Sequence, residues 1–91
     1  MEEICRAPGE VLMQDYLRPR GISMYRLAKA IGRPQSAVSG IVHGRRAVTP
    51  EMSCLLSAAL GTEPDYWAEL EVAYQVERYG PRLASEVKAL V

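Results

Sequence analysis

Hydrophobic side chains recur at helical spacing in five successive segments of the chain. Met24, Leu27, Ala28 and Ile31 fall at positions i, i+3, i+4 and i+7, which is the spacing of one face of an α-helix. Similar patterns occupy four further segments: Leu12, Met13, Tyr16 and Leu17 within residues 10–17; Val38, Ile41 and Val42; Met52, Leu55, Leu56, Ala59 and Leu60; and Trp67, Leu70 and Tyr74. Strand signals such as sustained alternation or an Asn-Gly hairpin are missing from the sequence. The pattern therefore predicts an all-α fold of five helices.

The ends of these helices are predicted from capping residues, glycine and proline. Ser23 and Thr49 precede hydrophobic stripes and are predicted N-caps, because their hydroxyls can accept a hydrogen bond from the first turn. Gly32 and Gly61 follow two of the stripes and are predicted to end those helices in the left-handed conformation. Pro19 is predicted to end the first helix, because proline disfavours helical geometry in the residue before it.

The fifth helix is predicted from near Pro64 to about Tyr79, before the Gly80-Pro81 pair, and it carries two apolar stripes. The stripe that contains Trp67 is assigned to the core. A second stripe continues past the break into the tail, and its members are Val72, Val76, Tyr79, Leu83, Val87 and Leu90. Because a soluble monomer rarely exposes such a patch, we expect this stripe to form a homodimer interface. Two alternatives are that Leu83, Val87 and Leu90 fold back on the same subunit and that the tail is disordered.

The distribution of charge points to a polyanionic partner. The net charge is zero, with eleven Lys and Arg against eleven Asp and Glu. Segment 18–46, however, has a formal charge of +7 and contains no acidic residue, so the rest of the chain carries −7. The basic residues of this segment are Arg18, Arg20, Arg26, Lys29, Arg33, Arg45 and Arg46. Such an asymmetry is typical of a surface that binds nucleic acid.

Two short predicted helices, joined by a tight turn at Gly32, make a helix-turn-helix pattern over residues 23–44. The small Ala28 allows the second helix, residues 35–43, to cross closely over the first. This second helix is expected to read DNA, because amides and hydroxyls bind base edges in the major groove and arginines bind phosphates. The candidate DNA-binding residues are Arg33, Gln35, Ser36, Ser39, Gly40, His43, Arg45 and Arg46.

Each candidate also has an interpretation without DNA. Gln35 can cap its helix, His43 can bond a carbonyl of the last turn, and any surface arginine can be a solvated charge. Gly40 is harder to explain in this way, because glycine inside a helix costs about 1 kcal/mol relative to alanine. We expect Gly40 to allow a close approach of the backbone to a base or phosphate, or to lie where no base is read.

The chain has 91 residues, which is enough for one hydrophobic core. This length excludes a multidomain enzyme with separate cofactor and substrate lobes. Short connections between the predicted helices indicate a single domain, 1–91. Within it, residues 63–91 form the C-terminal helix and tail, which we expect to be the dimerisation region.

Catalytic and metal sites are not indicated by the sequence. The single histidine, His43, lies near a predicted helix end, and Cys54 lies on the apolar stripe of its helix. Neither a Ser-His-Asp nor a Cys-His arrangement is therefore available. The carboxylates around the fifth helix, which are Glu63, Asp65, Glu69, Glu71 and Glu77, are interpreted as a solvated acidic face. Glu69, Glu71 and Glu77 are also expected at the rim of the dimer interface. The sequence predicts a protein that is not an enzyme and holds no metal or cofactor.

The sequence also predicts a cytoplasmic protein without a membrane partner. No run approaches eighteen apolar residues, and the N-terminal MEEICRAPGE is acidic and lacks the apolar run of a signal peptide. Cys5 and Cys54 match no metal-ligand spacing, and we expect both to be reduced thiols.

Three runs of the sequence carry a resemblance to a known family. They are PGEVLMQDYLRPRGISMYRLAKAIG, IVHGRRAVTPEM and LGTEPDYWAELEVAY. In this order they resemble the HigA-type antitoxins, also called the VapI-like group, of the XRE or lambda-repressor-like helix-turn-helix class. The similarity covers about residues 7–77. It implies a compact five-helix lambda-repressor-like domain with a short C-terminal extension.

The resemblance also implies a function. Members of this family form dimers, bind a palindromic operator in their own promoter and neutralise a small mRNA-cleaving toxin encoded beside them. Carried over by position, base contacts fall on Gln35, Ser36, Ser39 and Gly40, and phosphate contacts fall on Ser23, Arg33, Arg45 and Arg46. The chain departs from the family pattern at four positions: Ala7 replaces a usual His, Met24 replaces a usual Gln, and Ala37 and Gly40 stand where the reading helix often carries an Arg and a charged residue.

Two other functions fit the sequence. One is a transcriptional regulator of the same fold that has no toxin partner. The other is a protein-interaction module whose basic face binds another protein, which the zero net charge favours and the +7 segment disfavours. The leading hypothesis is an antitoxin that represses its own operon.

Overall fold

The computed structural model describes residues 5–91 and contains five helices and no strand within that range. The first helix, α1, is continuous over 8–20, and it is followed by α2 (Met24–Ile31), α3 (Gln35–Val42), α4 (Pro50–Leu60) and α5 (Tyr66–Ala84). The predicted all-α, five-helix fold is confirmed. Residues 1–4, the start of the acidic N-terminal run, lie outside the described residues.

The prediction that Pro19 ends the first helix was wrong. The helix has a π-helical middle, and its three parts are Pro8–Val11, Leu12–Leu17 and Arg18–Arg20. In a regular α-helix the N–H of residue 19 would bond the carbonyl of Asp15, and proline has no N–H to give. The Arg20 guanidinium bonds that carbonyl instead at 3.1 Å and the Tyr16 carbonyl at 3.2 Å. The helix therefore passes Pro19 and ends at Gly21, whose φ is 64°.

Both predicted N-caps are confirmed. The Ser23 hydroxyl accepts a hydrogen bond from the Arg26 N–H at 3.0 Å, and the Thr49 hydroxyl accepts one from the Met52 N–H at 3.1 Å. These bonds fix the starts of α2 and α4.

Trp67 lies at the centre of the core. Its ring is fully buried and makes edge contacts with Tyr16 and Tyr66, at centroid distances of 5.1 and 5.0 Å. Its Nε1–H donates to the Thr62 hydroxyl at 3.1 Å, so the one polar atom of the ring is satisfied. The other core side chains are Val11, Leu12, Leu17, Leu27, Ala28, Ile31, Val38, Ile41, Val48 and Leu56. The core therefore joins all five helices.

Two serines on α4 are buried, which the hydrophobic pattern did not predict. The Ser53 hydroxyl donates to the Pro64 carbonyl at 2.7 Å, and the Ser57 hydroxyl donates to the Glu63 carbonyl at 2.6 Å. These bonds attach α4 to the turn before α5, where Pro64 was expected to lie close to the helix start. Cys54, which was assigned to the apolar stripe of this helix, is exposed, so that assignment was wrong.

The prediction of a helix break at Gly80-Pro81 was also wrong, since α5 continues to Ala84. In helical geometry, a proline ring clashes with the N–H and Cβ of the residue before it. Gly80 has no Cβ, so this part of the steric conflict is absent, which favours continuation of the helix through Pro81.

The tail after Ala84 does not pack on the body of the protein. Residues 85–91 are exposed and form turns followed by irregular backbone. Val87 and Leu90 are 71% and 96% exposed. The alternative in which the tail folds back on its own subunit is therefore wrong, and the helical spacing of Leu83, Val87 and Leu90 does not correspond to a helix beyond Ala84.

Candidate nucleic-acid interface

Helices α2 and α3 form the expected helix-turn-helix pair. Gly32, with φ of 68°, ends α2, and the Arg33 N–H returns to the Ala28 carbonyl at 3.1 Å. The buried side of α3 carries Val38 and Ile41, so its orientation is set by the core. The opposite side of α3 faces outward.

The first turn of α3 presents polar groups that have no partner. Gln35 and Ser36 are exposed, and their side chains make no hydrogen bond within residues 5–91. Pro34 occupies the N-cap position and provides no side-chain cap. The alternative in which Gln35 only caps its helix is therefore not what the structure shows. Both side chains are available to a ligand.

The last turn of α3 is different, because its polar groups bind one another. The Nδ1 atom of His43 lies 2.9 Å from the Ser39 carbonyl and 3.2 Å from the Ser39 hydroxyl. The contact with the carbonyl is the one proposed in the interpretation without DNA. When Nδ1 donates to this carbonyl, Nε2 carries the lone pair and is free to accept from a ligand.

Helix α3 ends in a tight backbone turn that places two arginines beside it. Gly44 has φ of 76°, its N–H bonds the Ile41 carbonyl at 3.1 Å, and the Arg45 N–H bonds the Gly40 carbonyl at 2.7 Å. This pair of bonds is a Schellman motif. The Arg45 guanidinium then reaches the Ser39 hydroxyl at 3.4 Å. The positive charge therefore lies alongside α3 rather than away from it.

Gly40 is buried, and the structure corrects the expectation that its backbone is open to DNA. A Cβ added to Gly40 would lie 2.8 Å from Cγ and 3.0 Å from Cδ of Arg46. The missing side chain therefore makes room for the stem of Arg46.

Two predicted phosphate-binding residues already have intramolecular roles. The hydroxyl of Ser23 caps α2, and the guanidinium of Arg33 pairs with the carboxylate of Glu51 at the start of α4. Both groups are at the surface, and the Glu51 side chain is 72% exposed. A phosphate would therefore compete with Glu51 for Arg33.

The first two arginines of the basic segment, Arg18 and Arg20, form hydrogen bonds within α1. Arg18 donates to the Gln14 side chain at 3.3 Å, and Arg20 bonds two carbonyls of its own helix. The +7 charge is therefore not all directed to one site.

Two residues that contact the interface were missed by sequence reasoning. Gly9 of α1 lies against the C-terminal end of α3, where an added Cβ would be 2.0 Å from the Ile41 carbonyl oxygen. Glu71 of α5 accepts a hydrogen bond from the Val48 N–H at 2.9 Å. The only sequence signal for Gly9 was the Pro8-Gly9 pair before the first hydrophobic stripe, and Glu71 was placed among the solvated carboxylates around the fifth helix.

Two raised pKa values on α5 follow from local packing. Burial raises the pKa of Tyr66 above its ordinary value, and a hydrogen bond with Tyr16 adds to the effect. A hydrogen bond with Asp65 raises the pKa of Glu69, and the negative charge of Asp65 acts in the same direction. Neither cause is a catalytic arrangement.

The second apolar stripe of α5 is on the surface of the single chain. Val72 and Val76 are 61% and 63% exposed, and with Ala68 and Ala73 they line a shallow apolar groove. Tyr79 and Leu83 continue the exposed stripe towards the tail. Across residues 5–91 no helix is long and apolar enough to span a membrane.

Comparison with known proteins gives consistent results. The sequence model of the helix-turn-helix family matches residues 13–67. Antitoxin HigA-1 of Vibrio cholerae serotype O1 is 32% identical over 80 residues, which cover 88% of this chain and 75% of that protein.

Solved structures extend the similarity to the whole fold. Antitoxin GraA in complex with its operator matches with a TM-score of 0.83 and 28% identity, covering 100% of this chain and 96% of that one. The Pseudomonas aeruginosa antitoxin HigA with the higBA promoter matches with a TM-score of 0.80 and 25% identity, covering 97% and 100%. The expectation of a protein that is not an enzyme agrees with this family. The chain belongs to the helix-turn-helix family and, within it, to the group of the HigA antitoxins.

Proposed function

We propose that the chain is a cytoplasmic DNA-binding antitoxin that represses its own operon. The observation that carries the DNA-binding part is the outward face of α3. Gln35 and Ser36 are exposed and unpartnered there, while Arg45 and Arg46 lie at the other end of the helix. Amides and hydroxyls suit base edges, and arginines suit phosphates. Related antitoxins have been solved with an operator or a promoter.

The proposed binding unit is a homodimer on a palindromic operator. A helix of eight residues reaches few base pairs, so useful affinity requires two half-sites. The exposed stripe of Val72, Val76, Tyr79 and Leu83 supplies an apolar face for the second copy, with Val87 and Leu90 of the tail beside it. An apolar surface of this type is rarely left open in a monomer.

The proposed protein partner is a toxin encoded next to the chain. Support for this comes from the relatives, which are named antitoxins. The toxin would be a small mRNA-cleaving protein, as the family resemblance implies. The alternative is a transcriptional regulator without a toxin. The product of the gene next to the one that encodes this chain distinguishes the two functions.

Footprinting on the promoter upstream of the chain's own gene tests DNA binding. We expect two protected half-sites about 10 base pairs, or a multiple of that, apart. Affinity should fall steeply with salt, because arginines that bind phosphates release counterions. Binding that does not change between about 50 and 200 mM salt would contradict the proposal.

The dimer is tested separately by sedimentation. Val72→Asp combined with Val76→Asp should give a folded monomer, because two buried carboxylates would oppose each other across the interface. Removal of residues 85–91 tests whether the tail contributes to the dimer in addition to α5. A folded dimer that survives both changes would place the interface elsewhere.

Coexpression tests the toxin partner. If the adjacent gene encodes a growth-inhibiting protein, coexpression of this chain should restore growth and the two proteins should copurify. An adjacent gene without any such effect would leave the regulator as the function.

A further inference from the structure

The loop between α3 and α4 carries the two arginines that are proposed to hold DNA phosphates. Its beginning is fixed to α3 by the Schellman motif at Gly44 and Arg45. Its end is fixed by Val48, whose side chain is 5% exposed and packs in the core. Among the hydrogen bonds of the described residues, the one from the Val48 N–H to Glu71 alone joins the backbone of this loop to α5.

The carboxylate of Glu71 is oriented by two partners. One oxygen accepts from the Val48 N–H at 2.9 Å, and the other accepts from the side-chain amide of Gln75. In residues 5–91 the salt bridges are formed by Arg6 and Arg33, so Glu71 is not paired with the arginines of the loop. Its observed role is to hold backbone, and a charged acceptor makes that hydrogen bond stronger than a neutral pair would be.

We infer that Glu71 is a positioning residue for DNA binding, which holds the loop so that Arg45 and Arg46 remain alongside α3. This inference rests on the proposed DNA-binding function. Without the Glu71 acceptor, the Val48 N–H loses its protein partner at the edge of the core, and no hydrogen bond among the described residues then holds the loop backbone to α5. Glu71 also precedes Val72 of the proposed dimer stripe. The oligomeric state of each variant is therefore measured beside its DNA affinity.

Electrostatics alone predicts the opposite effect of mutation. Glu71 is a negative charge near a basic loop, so its removal would strengthen the attraction to DNA if charge were its only role. A positioning role predicts weaker binding when the acceptor is lost and retained binding when an amide oxygen replaces it. Glu71→Ala and Glu71→Gln remove the same charge, and only the second keeps an acceptor.

The experiment measures the affinity of each variant for a labelled duplex from the promoter upstream of the chain's own gene and for a random duplex of the same length. For Glu71→Ala we expect about tenfold weaker binding to both duplexes, since phosphate contacts do not depend on sequence. For Glu71→Gln we expect binding within about threefold of the wild type. The control is Glu63→Ala, which removes an equal charge from the turn before α5, where the Glu63 side chain is exposed and makes no hydrogen bond within residues 5–91.

Amide hydrogen exchange measured by NMR reports the loop directly. In Glu71→Ala the Val48 amide should exchange much faster than in the wild type, while the amide of Leu56 in the core keeps its protection. Sedimentation of each variant separates an effect on the loop from an effect on the dimer. Glu71→Gln and Glu63→Ala should both retain slow exchange at Val48.

Two results would overturn the inference. One is tighter or unchanged DNA binding by Glu71→Ala in a folded dimer, and the other is equal weakening by Glu71→Ala and Glu71→Gln. If the wild type itself binds neither duplex, the proposed function fails and the inference fails with it. The wild-type measurement therefore tells failure of the function apart from failure of the role assigned to Glu71.

Discussion

The two ends of α3 use their polar side chains in different ways. At the N-terminal end, Gln35 and Ser36 are exposed and have no partner among the described residues. At the C-terminal end, the His43 ring contacts Ser39 and the stem of Arg46 covers Gly40. The first end can bind a ligand without breaking any intramolecular bond. The second end is already ordered, so its arginines would lose less conformational freedom in the proposed phosphate contacts.

The largest expected effect is a loss of stability when the contact between Gly9 of α1 and the C-terminal end of α3 is disturbed. In Gly9→Ala the new Cβ would lie 2.0 Å from the Ile41 carbonyl oxygen, so α1 and α3 must separate. We expect the free energy of unfolding to fall by about 3 kcal/mol, measured by urea denaturation. The control is Gly40→Ala, whose Cβ would meet the flexible side chain of Arg46 rather than backbone and should change stability by less than about 1 kcal/mol. Equal stability of the two variants would mean that the contact between α1 and α3 is not tight.

The second prediction separates the two ends by their effect on DNA. Gln35→Ala should reduce operator binding by about 1 to 3 kcal/mol and leave binding to random DNA almost unchanged, because a base contact is lost. Arg46→Ala should weaken both and reduce the slope of affinity against salt by about one unit. Fluorescence anisotropy on both duplexes at several salt concentrations measures the contrast. If the two variants behaved alike, the two ends would not differ in role.

A smaller effect is expected from Gly40→Ala. Its Cβ would displace the flexible stem of Arg46, so stability should change by less than about 1 kcal/mol while the phosphate contact is weakened. We expect a loss of DNA affinity of about 1 kcal/mol and the same reduced salt slope as in Arg46→Ala. Combining the two changes should add little to Arg46→Ala alone. Additive losses would show that Gly40 acts on DNA independently of Arg46.

The smallest effect is expected at Glu51, whose carboxylate forms an exposed ion pair with Arg33. Glu51→Gln should free this arginine for a phosphate and strengthen DNA binding by less than about 1 kcal/mol, as exposed pairs are weak. The gain should shrink at high salt. The matched control repeats the change in an Arg33→Ala background. A gain that persists there would come from the lost negative charge and not from the release of Arg33.

Much of the fold follows from local patterns in the sequence. The five helices, the caps at Ser23 and Thr49 and the buried faces of α2 and α3 were predicted, because each depends on residues within one or two turns of each other. The errors were also local in origin. Pro19 and Pro81 were taken as helix ends, and the compensating features were the guanidinium of Arg20 and the missing Cβ of Gly80.

The candidate site was predicted only in part. The sequence located α3 and its arginines. It placed Gly40 among the residues that contact DNA, whereas in the structure the missing side chain makes room for the stem of Arg46. It also placed Glu71 among solvated carboxylates. No spacing within a helix reveals that Glu71 faces Val48, because the two residues are 23 positions apart and meet only when α5 packs on the loop.

The sequence by itself determined the helices, their caps and the segregation of charge, since side-chain periodicity and charge are properties of neighbouring residues. Tertiary structure decided which polar groups remain available to a ligand. Gln35 stays unpartnered while Arg33 is taken by Glu51, and Gly9 supports the end of α3 through a contact with Ile41. These outcomes depend on how helices distant in sequence pack together, and close packing leaves room for only one arrangement of such contacts.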